Sequence, residues 1–89
     1  NNGYGKPIVA VAAGVVRIAG WSQGGWAPYG KLVYVEHDYR DREGNHFHSL
    51  YAHLRTVTVR EGQRVEAGTV IGTHSSRLRW RCVVFSLRR

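Results

Sequence analysis

Tyr51-Ala52-His53-Leu54, followed by Val57-Thr58-Val59-Arg60-Glu61-Gly62-Gln63-Arg64-Val65-Glu66-Ala67-Gly68-Thr69-Val70-Ile71-Gly72, decides the fold. The first four residues put a histidine on a predicted strand over residues 48–54, and further short strands are expected at 57–59 and 65–71. Arg60-Glu61-Gly62-Gln63 and Val65-Glu66-Ala67-Gly68 each place glycine where a tight reversal needs positive φ, which other residues adopt at a cost. Short strands closed by such turns build a compact sandwich or barrel rather than an open sheet.

Working outward, residues 7–11 and 15–19 are β-branched runs around Ala12-Ala13-Gly14, the pattern of two strands meeting at a tight turn. Residues 21–30 carry three glycines, a proline and two tryptophans and read as a loop. Residues 31–37 form the next strand, and the charged stretch 38–45, with Glu43-Gly44-Asn45, is its exposed connection to the strand over 48–54. No window repeats apolar residues at helical spacing over three turns, so the expected class is all-β, a compact antiparallel β-sandwich or barrel-sandwich hybrid. If 31–37 and 48–54 pair around Arg42-Glu43, His37 comes near His48 and His53 near Leu32. Val33, Val35, Leu50 and Ala52 then share one face, His53 shares the other with Tyr34 and Tyr51, and His37 and His53 point to opposite sides.

At 89 residues there is room for one domain with a modest core. The net charge of +7 suggests a nucleic-acid binder until it is located: five arginines and no acid follow Ser76, while residues 1–76 hold eight Lys+Arg against six Asp+Glu. The basicity belongs to the tail, so specific DNA or RNA binding is not expected, only weak, salt-sensitive attraction to anionic polymers. No run approaches a membrane span; the longest apolar candidate, residues 8–19, is broken by Gly14 and Arg17 and lacks the basic start of a signal peptide. An export signal would lie outside this chain. The lone Cys82 excludes an internal disulfide and reads as a small buried apolar residue.

Three segments in order carry a resemblance. Gly5-Lys6-Pro7-Ile8-Val9-Ala10-Val11-Ala12-Ala13-Gly14-Val15-Val16, Tyr29-Gly30-Lys31-Leu32-Val33-Tyr34-Val35-Glu36-His37 and Tyr51-Ala52-His53-Leu54 together resemble the β-sheet core of the lysostaphin/LytM-type zinc metallopeptidases. The likeness spans residues 5–73 and leaves 74–89 as a divergent basic tail, the whole forming a single partial domain. It implies that His53 is catalytic, holding or polarising the water and the tetrahedral intermediate of peptide hydrolysis, with Tyr51 and Tyr34 as substrate contacts. It also implies zinc as the family's cofactor, peptidoglycan peptides as partners, and an extracellular, wall or periplasmic location. A similar glycine rhythm occurs in biotinyl and lipoyl carriers and in the glucose-type phosphotransferase domain. A carrier, however, needs a modifiable lysine at a tight turn, and neither Lys6 nor Lys31 has that context.

The family binds zinc through an upstream His-x-x-x-Asp and a downstream His-x-His. Asn1-Asn2-Gly3-Tyr4-Gly5 leads straight into the first strand, so the upstream segment and its metal-binding strand would precede Asn1. Aligning on Phe85 puts Cys82 and Val84 where the two histidines belong, and valine cannot bind zinc. Val83, Phe85 and Leu87 alternate as a core-facing strand would; the alternative is a tail scrambled by frameshift or truncation that forms no native strand. His46-Phe47-His48 is a literal His-x-His in the wrong place, read as exposed loop histidines; His74 falls in a turn, and Asp38, Asp41 and Glu43 form a solvated tip. The expectation is a fragment or degenerate copy of a zinc endopeptidase domain, inactive and without tight zinc, or alternatively a noncatalytic wall-binding or activator module. Unpaired sheet edges are expected to favour self-association.

Overall fold

The computed structural model of the chain describes residues 5–21, 24, 30–74 and 81–86. In chain order these form β1 (Pro7–Val9), β2 (Gly14–Trp21), β3 (Lys31–Arg40), β4 (His46–Ala52), β5 (Leu54–Val57), β6 (Arg64–Val65), β7 (Val70–His74) and β8 (Arg81–Ser86). They make two antiparallel sheets, one ordered β6-β2-β3-β4-β8 and one ordered β1-β7-β5. Between them lies a core of Ile8, Ala10, Val16, Val33, Val35, Tyr51, Leu54, Val59, Val65 and Ile71. The β-branched residues that favour strands are thus also those that fill the space between the sheets. The expected all-β sandwich is the architecture found, and no described residue lies in an α-helix. Among the described residues there is no helix long and apolar enough to cross a membrane.

The glycine turns behave as expected: Gly62 and Gly68 have φ of 87° and 89°. Gly14 serves a different end. The expectation of two strands meeting at a tight turn is corrected, because β1 pairs with β7 and β2 with β3 and β6. Residues 10–13 carry the chain from one sheet to the other, and Gly14 opens β2 directly opposite His37. A Cβ at Gly14 would run into the Glu36 carbonyl, so the position is held by close backbone approach rather than by a turn.

β3 runs three residues beyond the expected end at His37. The Asp41 carboxylate accepts the amides of Glu43 and Asn45 at 2.9 Å, closing the hairpin over Asp41–Asn45 and freeing Arg40 to pair with His46. The β3 backbone bulges between Glu36 and Arg40, which sets Glu36 opposite His48, Tyr34 opposite Leu50 and Val33 opposite Tyr51. The expected pairing of His37 with His48 is therefore one residue out. A slip of one moves a strand's side chains to the other face. Tyr51 and Ser49 accordingly share the core face with Val33, Val35 and His37, whereas Leu50 and Ala52 lie with Tyr34 and His48 on the opposite face. Tyr34 and Tyr51 do not share a side.

Most of the loop expected over residues 21–30 lies outside the described residues, but Trp21 itself belongs to β2. His74 ends β7 opposite Leu54 instead of standing in a turn. The tail does supply a strand: β8 pairs with β4 from Ala52↔Arg81 to Phe47↔Ser86. Its facing differs from expectation, since Cys82 packs against the core while Val83 is half exposed. Phe85 lies instead over Tyr34 and His48 on the opposite face, and Leu87 is outside the described residues.

Candidate functional site

β4 belongs to the large sheet and β5 to the small one, and His53 is the single residue between them. The chain must turn sharply to change sheets there, and His53 does so with φ of 60°, the only positive φ at a non-glycine among the described residues. A left-handed non-glycine residue costs of order 1–3 kcal/mol and survives only where its surroundings impose it, a pattern concentrated at functional sites. Its imidazole lies against Gly30, with Nδ1 3.8 Å from where a glycine Cβ would stand. His53 is partly exposed, so it is placed at a corner rather than on the strand expected for it.

Tyr51 has no exposed surface. Its hydroxyl oxygen accepts the Val11 amide at 3.0 Å and the Ser49 hydroxyl at 2.8 Å. Ser49 Oγ in turn lies 2.7 Å from His37 Nε2, and His37 Nδ1 lies 3.1 Å from the Ala13 carbonyl. His37 and Ser49 are buried as completely as Tyr51. This chain of contacts ties the crossing at residues 10–13 to the centre of the large sheet. Burial pushes the Tyr51 phenol pKa up. With its hydroxyl engaged and its ring in the core, Tyr51 holds the frame. Sequence reasoning missed Ser49 and His37 as its partners, because the signal lay in a register that the bulge shifts.

On the opposite face Tyr34, His48 and Phe85 stack: Tyr34 and His48 centroids are 5.4 Å apart at 9°, and Phe85 lies 5.8 Å from His48. Burial lowers the His48 pKa, and its Nδ1 is buried without a hydrogen-bond partner. Burial, then the nearby Glu36 charge, raises that of Tyr34. Glu36 is turned toward Arg17, whose Nε and Nη2 donate to Oε1 at 3.0 and 2.6 Å and hold the carboxyl below its usual range. His46 is occupied elsewhere, with Nδ1 2.6 Å from the His37 carbonyl. The literal His-x-His is thus one partly buried histidine on a carbonyl and one in an aromatic stack, rather than two exposed loop residues.

The donor set does not fit zinc. Every His, Cys, Asp and Glu of the chain lies among the described residues, and among these no three come together as a metal could require. Cys82 and Val84 stand on β8 opposite Tyr51 and Ser49, and burial raises the Cys82 thiol pKa, which disfavours the thiolate that zinc needs.

Known proteins share this architecture. The catalytic domain of the antimicrobial peptidase lysostaphin from Staphylococcus simulans superposes with a TM-score of 0.71 at 25% identity, covering 93% of this chain and 60% of that one. A zinc containing peptidase from Vibrio cholerae shares the fold, with a TM-score of 0.69 at 24% identity over 92% of this chain and 24% of that one. In sequence, the lipoprotein NlpD of Yersinia enterocolitica is 39% identical over 72 residues, 81% of this chain and 65% of that protein. The murein hydrolase activator NlpD of Escherichia coli (strain K12) is also 39% identical over 72 residues, covering 81% of this chain and 17% of that protein. The chain therefore spans less than two thirds of the length of these curated relatives. The pattern of Peptidase family M23 matches residues 1–88, and the chain belongs to that family.

Proposed function

We propose that this chain is part of a peptidoglycan-directed zinc endopeptidase domain whose parent hydrolyses peptide cross-links, and that the chain as it stands is inactive. It works, on this reading, outside the cytoplasm at the cell wall or in the periplasm. Residues 5–73 are its family-like part and 74–89 a divergent tail on a single partial domain. The observation that carries the reading is His53: the histidine of Tyr51-Ala52-His53-Leu54 sits partly exposed, in a strained backbone, where the chain changes sheets. Of the two tyrosines, Tyr34 keeps partial exposure for a substrate contact, and Tyr51 supports from the core. The donor set supports inactivity: three protein ligands and an open position are needed, and among the described residues no three His, Cys, Asp or Glu come together.

The test is to rebuild the domain. An upstream His-x-x-x-Asp segment is restored and the tail after Gly72 replaced by a Gly/Ser/Thr-rich loop with His-Leu-His-Phe. Zinc-dependent cleavage of cross-bridge peptides should appear, and His53→Ala should then lower the rate by about 10²-fold or more while zinc stays bound. A rebuilt enzyme that works equally well with Ala at 53 removes His53 from catalysis.

A second reading rests on the relatives named murein hydrolase activators. The missing ligands then mark a noncatalytic module that binds wall polymer or stimulates a separate hydrolase. Dye release from labelled peptidoglycan by such a hydrolase should rise when this chain is added; no change in rate at saturating chain disfavours the activator role.

A further inference from the structure

Trp21 and Lys31 stand side by side where β2 ends and β3 begins, and His53 follows the last residue of β4 close by. Trp21 closes β2 and pairs with Lys31, the first residue of β3. At this end the β3–β4 pairing stops at Val33↔Tyr51. Past that pair β4 ends at Ala52 and the chain turns at His53 into β5, which brings His53 and Arg55 beside the start of β3. The Lys31 ammonium lies 5.2 Å from the centre of the Trp21 ring and donates to the Arg55 carbonyl, two residues past His53, at 3.0 Å. Gly30, beside Lys31, is the residue the His53 ring lies against.

Lys31 carries its charge beside an aromatic ring and without an acidic partner. Arg17 is paired with Glu36, and Arg64 with Asp38 and Glu66. Every acidic residue lies among the described residues, and none of them pairs with Lys31. Its partners are a neutral carbonyl and an aromatic face, which hold the side chain without cancelling its charge. One carbonyl uses one of three N–H donors, so donors remain for a ligand. A lysine already held in place loses less side-chain freedom on binding than one waving in solvent. Trp21 is 71% exposed and offers a flat apolar surface beside the ammonium.

We propose that Trp21 and Lys31 form a binding subsite for a short peptide bearing a free carboxylate, with the carboxylate on Lys31, an apolar side chain on Trp21 and the adjoining backbone running toward His53. This rests on the peptidoglycan reading in taking the peptide to be a wall stem peptide, whose carboxylates are its recognisable charge. The subsite is independent of metal and belongs to the chain as it stands.

The experiment is a titration of the 15N-labelled chain with a stem tetrapeptide carrying free carboxylates, followed by nuclear magnetic resonance. Its arms are the same peptide with the carboxylates amidated, and inorganic phosphate. The free-carboxylate peptide should shift the Trp21 indole N–H and the amides of Lys31, His53 and Arg55 in a saturable way. Amidation, or Lys31→Gln, should weaken binding by about five- to tenfold, the range expected for one charge-assisted hydrogen bond at a half-exposed site, while Lys31→Arg should stay within about twofold. Equal affinity for the amidated peptide, or no loss in Lys31→Gln, overturns the subsite. Phosphate shifting the same resonances as tightly as the peptide also overturns it, by marking an unselective cation. Pelleting with purified peptidoglycan separates the two failures. If the chain pellets but the peptide shifts fall elsewhere, the subsite is wrong and the wall reading stands; if neither peptide nor polymer binds, the wall reading fails as well.

Discussion

Tyr51→Phe removes one oxygen from a buried hydrogen-bond chain, and its cost can be worked from the contacts. The hydroxyl oxygen accepts from Val11 N–H at 3.0 Å and from Ser49 Oγ at 2.8 Å, and Ser49 and Tyr51 have no exposed surface. A typical hydrogen bond contributes about 1 kcal/mol net, but a buried donor left without an acceptor costs about 1–3 kcal/mol. The partly buried Val11 amide loses its acceptor, while the Ser49 hydroxyl keeps its contact with His37 Nε2, so the substitution should cost about 1–2 kcal/mol. A chain of this length is stable by about 4–13 kcal/mol, so the loss is a sizeable share and should lower Tm by about 5–15 °C. Urea unfolding followed by circular dichroism measures it, with an unchanged m-value showing that the two-state transition is preserved. Tyr39→Phe is the control, because that ring is largely exposed and its change should stay within about 0.5 kcal/mol. A Tyr51→Phe cost no larger than that of Tyr39→Phe would refute the reasoning. It would mean that the chain from Val11 to His37 does not hold the inter-sheet crossing.

Three further outcomes follow from the same geometry. His53→Gly should be neutral or stabilising by up to about 1 kcal/mol, since glycine adopts φ of 60° without strain, whereas His53→Val should cost about 1–2 kcal/mol; the reverse order in denaturant midpoints would contradict the strained corner. The folded-state pKa of His48 is depressed by burial, so its neutral form is favoured and the associated stability is present above the ordinary value of 6.5 and lost as pH falls through and below it. Urea midpoints should therefore decline from pH 7 to pH 5, and His48→Phe, which also removes the unpartnered Nδ1, should flatten that slope; an unchanged slope rejects the assignment to His48. Zinc calorimetry should show weak binding without fixed stoichiometry, and one tight zinc per chain would sink the account of the donor set.

Much of the architecture was legible in the residues because local chemistry dictates it. Gly62 and Gly68 turn where positive φ is needed, β-branched runs form strands, and the order of three segments around Tyr51-Ala52-His53-Leu54 carries the family likeness. What tertiary structure alone decided was which residues meet. The bulge between Glu36 and Arg40 moved the β3–β4 register by one, and with a side-chain period of two that sent Tyr51 and Ser49 into the core beside His37 while Tyr34 went to the other face. No local pattern announces a bulge, because it depends on where the Asp41 turn closes and on what the opposite sheet must cover. The same holds for the two crossings. Residues 10–13 and His53 look like a turn and a strand in sequence, yet each carries the chain between sheets, because β1 and β5 find their partners on β7 rather than on their neighbours in the chain.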